Sequence, residues 1–237
     1  MFLRDISMHC DHSLVEDYKG GFVGRFNGEA TCISDLYISL LRRKVATADV
    51  AKLYILFGYF DGISGVENKT YGTGVLSIQS SFSFADYYHG SESEKKSLLH
   101  ASLHRICMRV ATARSWDLTP FESAYVEALR CGLTFQGLAR QTWLSPNRKY
   151  CARIHVKHEL DGVYLSCVLT KANSHVEITR QCLGKAISGT VTLRDVIGNG
   201  EWISPTVFEL CDRSFGLTRW RADFTTTMAN TRQREQT

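Results

Sequence analysis

The stretch "SESEKKSLLHASLHRICMRVATARSWDLTPFESAYVEALRCG", residues 91–132, decides the fold. Ser91 followed by Glu94 is a capping box: the serine side chain takes the N3 amide and the glutamate reaches back to the serine amide. Beyond it, Leu99, Leu103, Ile106 and Val110 recur at helical spacing, which predicts a long helix with one narrow apolar stripe. Thr119, Pro120 and Glu122 predict a second start, with the threonine as cap, the proline at the first helical position and the glutamate completing another capping box. Phe121, Ala124, Tyr125, Ala128 and Leu129 form the apolar face of this second helix, and Gly132 suits its C′ position. The short "RSWDL" connection joins the two as an antiparallel helix hairpin.

On the N-terminal side, "ISDLYISLLRRK" places Ile33, Leu36, Tyr37, Leu40 and Leu41 on one face of an amphipathic helix ending in basic residues. "KLYILFGYFDG" is too short for a buried helix and rich in aromatic and β-branched residues, so it predicts a buried strand stopped by the Asp61-Gly62 turn. After a glycine-rich connection, "VLSIQSSFSF" alternates with period two and predicts another strand. On the C-terminal side the period also becomes two. Ala152, Ile154 and Val156 alternate with Arg153, His155 and Lys157, and Asp161-Gly162 closes a β-hairpin. "SHVEITRQCL" and "WISPTVFEL" add strands, and "MANTRQREQT" reads as a polar, frayed tail. The expected fold is a single α+β domain over residues 1–237, an antiparallel or mixed sheet against a central helix pair, with a β-rich C-terminal half.

Composition bounds the function classes. The chain has 237 residues, 44% hydrophobic and 22% charged, enough for a sizeable core without staples. The N-terminus lacks the apolar region of a signal peptide, and no apolar run approaches the length of a membrane span, so a cytoplasmic protein without membrane contact is expected. In that compartment eight cysteines are reduced thiols. They include no C-x-x-C pair, which removes zinc-ribbon and thioredoxin-type readings. A formal charge of +4 excludes an acidic nucleic-acid mimic and falls short of a nucleic-acid-binding stripe. Adjacent acids such as Glu16-Asp17 need not face one another and read as a solvated turn.

Chemistry-bearing patterns are few. His100, His104 and Cys107 stand at i, i+4 and i+7 of the first long helix, where two imidazoles and a thiolate could grip a metal. A metal-assisted hydrolase centred on these three is the enzymatic alternative. The zincin pattern H-E-x-x-H needs a glutamate as general base, however, and this segment is H-A-S-L-H. There is no G-x-S-x-G elbow. Lys69-Thr70 fails the phosphate-loop pattern, since Ile63 and Asn68 stand where glycines are needed and a strand follows instead of a helix. His155 and His158, three apart on a strand, point to opposite faces. No cofactor is expected.

"FSFADYYHGSESEKKSLLHASLHRICMRVATARSWDLTPFESAYVEALRCG", followed by "SPNRKYCARIHVKHEL", resembles bacterial polymorphic-toxin immunity proteins. The matching residues are Glu94, Lys95 and Lys96 at the helix start, Trp116 and Asp117 at the junction, and Pro146 and Arg148 before the strand, within residues 82–160. The resemblance implies stoichiometric inhibition: a cognate protein toxin domain is bound and neutralised, with no catalytic residues and no nucleic acid partner. Interfaces favour exposed aromatic anchors, so Tyr71 in the glycine loop, Tyr87 and Tyr88 before the first long helix, and Trp143 near Pro146 are the candidate partner-binding residues.

Overall fold

The computed structural model describes residues 1–11, 21–41, 45–72, 74–174, 176–186, 199–211 and 218–234. Glu16-Asp17 and the basic residues 42–44 lie outside them. The fold is α+β, with five helices and eleven strands among the described residues. Two compact units emerge: residues 1–135 with the turn Glu159–Asp161, and residues 136–158 with 162–237. No described helix is long and apolar enough to cross a membrane.

The first unit is built on a mixed four-stranded sheet. β1 (Asp5–Cys10), β2 (Lys52–Gly58) and β4 (Val75–Ser81) run parallel, and the two-residue β3 (Ile63–Ser64) joins β4 antiparallel, in the order β1-β2-β4-β3. Parallel neighbours need a crossover, and α1 (Phe22–Leu41) supplies it between β1 and β2. Period-two alternation turns Ile6, Met8, Leu53, Ile55, Phe57, Leu76 and Ile78 into one core with α1. The helix read from Ile33 onward begins at Phe22. Gly24, Asn27 and Gly28 weaken its local propensity, and burial of Phe22, Val23, Phe26 and Ala30 overrides that weakness.

Two further helices close this core. α2 (Phe84–His89) is a short turn of helix in a segment to which the sequence assigned no element, and α3 (Glu92–Ala113) starts on the Ser91–Glu94 capping box with both bonds present. Leu99, Leu103, Ile106 and Val110 are wholly buried, as their stripe predicts. α4 (Thr119–Arg130) differs at its start. Leu118 is the N-cap and Thr119 is already helical, because the Asp117 carboxylate accepts the Thr119 amide at 3.0 Å. Both helices end in Schellman turns. Ser115 and Trp116 donate to Thr112 and Ala111 at 3.2 and 2.8 Å, and Gly132 and Leu133 donate to Leu129 and Ala128 at 3.0 Å each. Glycine adopts the required positive φ at 132, whereas at 115 a serine is held at φ 53°.

The second unit pairs two sheets. β5 (Phe135–Leu144), β6 (Tyr150–Glu159), β7 (Gly162–Lys171) and β8 (Glu177–Ala186) form one, in that order. β9 (Gly200–Trp202), β10 (Val207–Cys211) and β11 (Arg219–Asp223) form the other, with β10 central. "WISPTVFEL" is thus two strands, and Pro205 falls in the turn between them, where no ladder amide is needed. Ala152, Ile154, Leu165, Cys167, Phe208, Leu210, Ala222 and Phe224 are buried in this unit. Gly184 lies so near Trp220 that an added Cβ would stand 2.7 Å from the indole. The described part of the tail, as far as Arg234, is helical: α5 (Thr225–Arg234) follows β11, with Met228 buried.

Candidate partner-binding surface

The carboxyl ends of parallel strands are where open α/β sheets carry their ligands, and aromatic residues of the first unit collect there. Phe57 ends β2, Phe82 and Phe84 follow β4, and Phe22 and Phe26 open α1. Phe26 is wholly buried, with ring centroids of Phe82, Phe84 and Tyr87 at 5.3, 5.6 and 5.0 Å. Phe57 and Phe82 lie 4.7 Å apart. Tilted and edge-to-face pairs of this kind add to plain area burial. The Tyr87 hydroxyl donates to Glu29 Oε2 at 2.6 Å, and Glu29 sits 3.8 Å from Arg25. Burial first, then the Glu29 carboxylate, pushes the Tyr87 phenol well above its ordinary pKa, so it stays a donor.

Two tyrosines stand on this base facing solvent. Tyr59, just past β2, is 67% exposed with its ring 6.2 Å from Phe84. Tyr88 is 38% exposed with its ring 5.7 Å from Phe22 and 5.1 Å from His89. The half-exposed Arg25 guanidinium lies 5.9 Å over the Phe22 ring. Beside His89 an open groove of about 670 Å³ runs between α2 and α3, lined by Asp86, Ser93 and Glu94 among others. Rings seated on a packed cluster lose little conformational freedom when a partner covers them, and Tyr and Arg dominate binding hot spots.

The four aromatics anticipated from sequence fare differently. Tyr88 belongs to this surface. Tyr87 is 1% exposed and offers a partner no area. The sequence places both before the first long helix without separating their directions, but α2 is helical, so adjacent side chains diverge by about 100° and Tyr87 turns inward with Phe84. Tyr71 is 67% exposed, its backbone pairing with Val75 in both directions. Trp143 is half-buried in the second unit, its ring 5.3 Å from Phe208 and its carbonyl accepting from Trp202 Nε1 at 3.0 Å. Tyr59 and Arg25 went unread. Tyr59 was absorbed into the apolar run before it, although Gly58 marks where the strand stops.

His100, His104 and Cys107 are not assembled as ligands. Among the described residues no three His, Cys, Asp or Glu side chains stand where they could share a metal ion. The His100 ring stacks on Tyr125 at 4.5 Å and 8°, and burial, then neighbouring His104, lowers its pKa to about 4. His104 Nδ1 lies 2.8 Å from the Tyr37 hydroxyl, which itself donates to the Phe121 carbonyl at 3.2 Å. A phenol has one proton, so His104 Nδ1 carries the hydrogen in that pair. Cys107 is wholly buried, which drives its thiol pKa far up. Burial likewise raises Cys10 to about 11 and Cys32 and Cys167 to about 12, the reverse of what an activated nucleophile needs. Comparisons with protein-family models, with curated proteins and with solved structures find no match to this chain.

Proposed function

We propose that the chain is an immunity-type inhibitor that binds a cognate toxin domain one to one and blocks it, with Tyr59, Tyr88 and Arg25 as the contact surface. The observation that carries the reading is the pair of solvent-facing tyrosine rings on a closed aromatic base at the carboxyl ends of β2 and β4. The resemblance of residues 82–160 to immunity proteins supplies the class of partner, and such a protein acts in the bacterial cytoplasm by occupancy alone. Two anchors of this kind contribute about 2 kcal/mol each, or about thirtyfold in affinity apiece.

The test is native mass spectrometry on tagged protein purified gently from its source cell, followed by sequencing of any one-to-one partner. The partner's own activity is then titrated with the chain. The expected result is loss of that activity at equimolar ratio, relieved in Tyr59→Ala and Tyr88→Ala variants that still fold. A partner fully active when saturated overturns the inhibitory role. Binding untouched by both substitutions overturns the surface.

A further inference from the structure

The formal charge of +4 averages two unlike units. The first has fourteen Lys and Arg against seventeen Asp and Glu, net −3, whereas the second has fourteen against seven, net +7. Between Gln136 and His158 there are five basic residues and no acidic one. Six of the second unit's fourteen, Arg140, Arg153, Lys157, Lys171, Arg180 and Lys185, lie on the strands of the β5–β8 sheet. Along β6, Arg153, His155 and Lys157 alternate with buried Ala152, Ile154 and Val156, and so stand on the outer side. The β7–β8 register sets Tyr164 opposite Lys185 and Val168 opposite Arg180. His155 on β6 lies near enough to Arg180 and Glu177 on β8 to feel both charges. β5, next to β6, adds Arg140.

Arg140, Lys157, Arg180, Lys185 and Tyr164 are all exposed. Glu177 is held by Arg180 through two bonds of 3.1 and 2.8 Å. Arg140 and Arg153 have no ion-pair partner among the described residues, and the Arg153 Nε is buried without an acceptor. In the first unit, by contrast, Lys52, Lys96, Arg114 and Arg130 each meet a carboxylate.

We propose that this face binds single-stranded nucleic acid, with phosphates on the cations and a base on Tyr164. Same-face residues recur about every 6.7 Å along a strand, a spacing on which an extended polyanion can lie. Guanidinium forks match phosphate oxygens bidentately. The Tyr164 ring, with the Lys185 ammonium 5.3 Å from it, is the flat platform that base stacking uses. Stacking on Tyr164 needs an unpaired base with a free face, which a single strand offers and a duplex does not. One aromatic platform gives little sequence preference, so phosphate contacts set the affinity. The inference is independent of the inhibitory function above, since it concerns a different unit and a different ligand.

Fluorescence anisotropy of the full chain with a labelled oligothymidylate of about 20 nucleotides tests it. With about five phosphate contacts, affinity should fall about a hundredfold between about 50 and about 200 mM salt. At the lower salt, Arg140→Glu/Lys157→Glu should weaken binding at least tenfold and Tyr164→Ala at least fivefold. Arg130→Glu, an exposed reversal on α4, should leave it unchanged. Far-UV circular dichroism and melting establish that each variant folds, and Arg140→Gln/Lys157→Gln substitutes if the double reversal does not. No binding at low salt, or binding indifferent to the β5–β6 variants, overturns the proposal. Displacement by polyglutamate of equal charge, together with an inert Tyr164→Ala, also overturns it and assigns the face to an acidic protein.

Discussion

Replacing Lys96 by methionine should reveal an ion pair that holds the first unit together. Lys96 lies on α3 with 7% of its surface exposed, and its ammonium contacts Oε2 of Glu159, the last residue of β6, and Glu92 at 3.1 Å. Burial alone would lower its pKa. The two carboxylates outweigh that, and the net direction is upward, so on the alkaline side the Lys96 contribution is fully present at neutral pH and is lost as pH rises through its raised pKa. Breaking a buried pair by removing one member typically costs 3–5 kcal/mol, because the other charge stays desolvated. The Glu159 side chain keeps 13% exposure, which places Lys96→Met near the lower end, about 3 kcal/mol. For a unit of this size that shifts the melting midpoint by about 10 °C. Glu92, 62% exposed, should matter by less than about 0.5 kcal/mol. The assay is a double-mutant cycle by denaturant unfolding with Lys96→Met, Glu159→Leu and the double variant. Joint replacement by apolar groups should return to within about 1 kcal/mol of the parent. A loss below about 1 kcal/mol for Lys96→Met, or two losses that simply add, would refute the reasoning.

Ser115→Gly should stabilise by about 1 kcal/mol, because glycine holds φ 53° without strain, whereas Ser115→Ala should give no gain; thermal melts decide. For His100, whose pKa falls from 6.5 to about 4 on folding, the unfolded chain takes up the proton first, so stability drains away as pH falls from 6.5 to about 4. The full shift corresponds to about 3 kcal/mol, and His100→Gln should flatten that part of the pH profile of urea midpoints; an unchanged slope would contradict the burial. Gly184→Ala, with φ +155° and an indole 2.7 Å from the new methyl, should lower stability by at least about 1–2 kcal/mol and alter Trp220 fluorescence. Retention of parental stability and emission would mean that the β8–β11 contact is looser than described.

What was legible in the sequence is what short-range chemistry decides. The Ser91–Glu94 box, the Gly132 stop and the Asp161-Gly162 turn each rest on groups a few residues apart, and α3, α4 and the β6–β7 hairpin form where those signals stand. The beginning of α1 was hidden, because its glycines and Asn27 argue against a helix until Phe22 and Phe26 find the aromatic cluster. β1 carries a period-two signal in Ile6, Met8 and Cys10. Its parallel register with β2 depends on how α1 packs across them, which no local pattern encodes. At the second unit, alternation identified β-structure in "WISPTVFEL", but the break at Pro205 belongs to hydrogen bonding, since Ile203 and Ser204 close the turn onto Val207.

The binding surfaces were harder to read for a different reason. An anchor's worth lies in what supports it, and the ring base under Tyr59 and Tyr88 comes from α1, β2, α2 and the residue pair after β4, elements scattered over residues 22–88. Charge behaves likewise. In the first unit, Lys52 meets Asp5 and Arg114 meets Asp49, partners far apart along the chain. In the second unit, Arg140 and Arg153 find none among the described residues. Whether a lysine or arginine is neutralised or presented is set by tertiary pairing, so an overall +4 says little about either unit. A mildly basic average is compatible with a more basic stretch wherever the acids are concentrated elsewhere in the sequence, and here fifteen of the twenty-four acids fall within residues 1–135. Long-range fields fade beyond roughly a Debye length, about 8–10 Å at physiological salt. Within that distance a side chain's nearest charged neighbours count for more than the net charge of the whole chain.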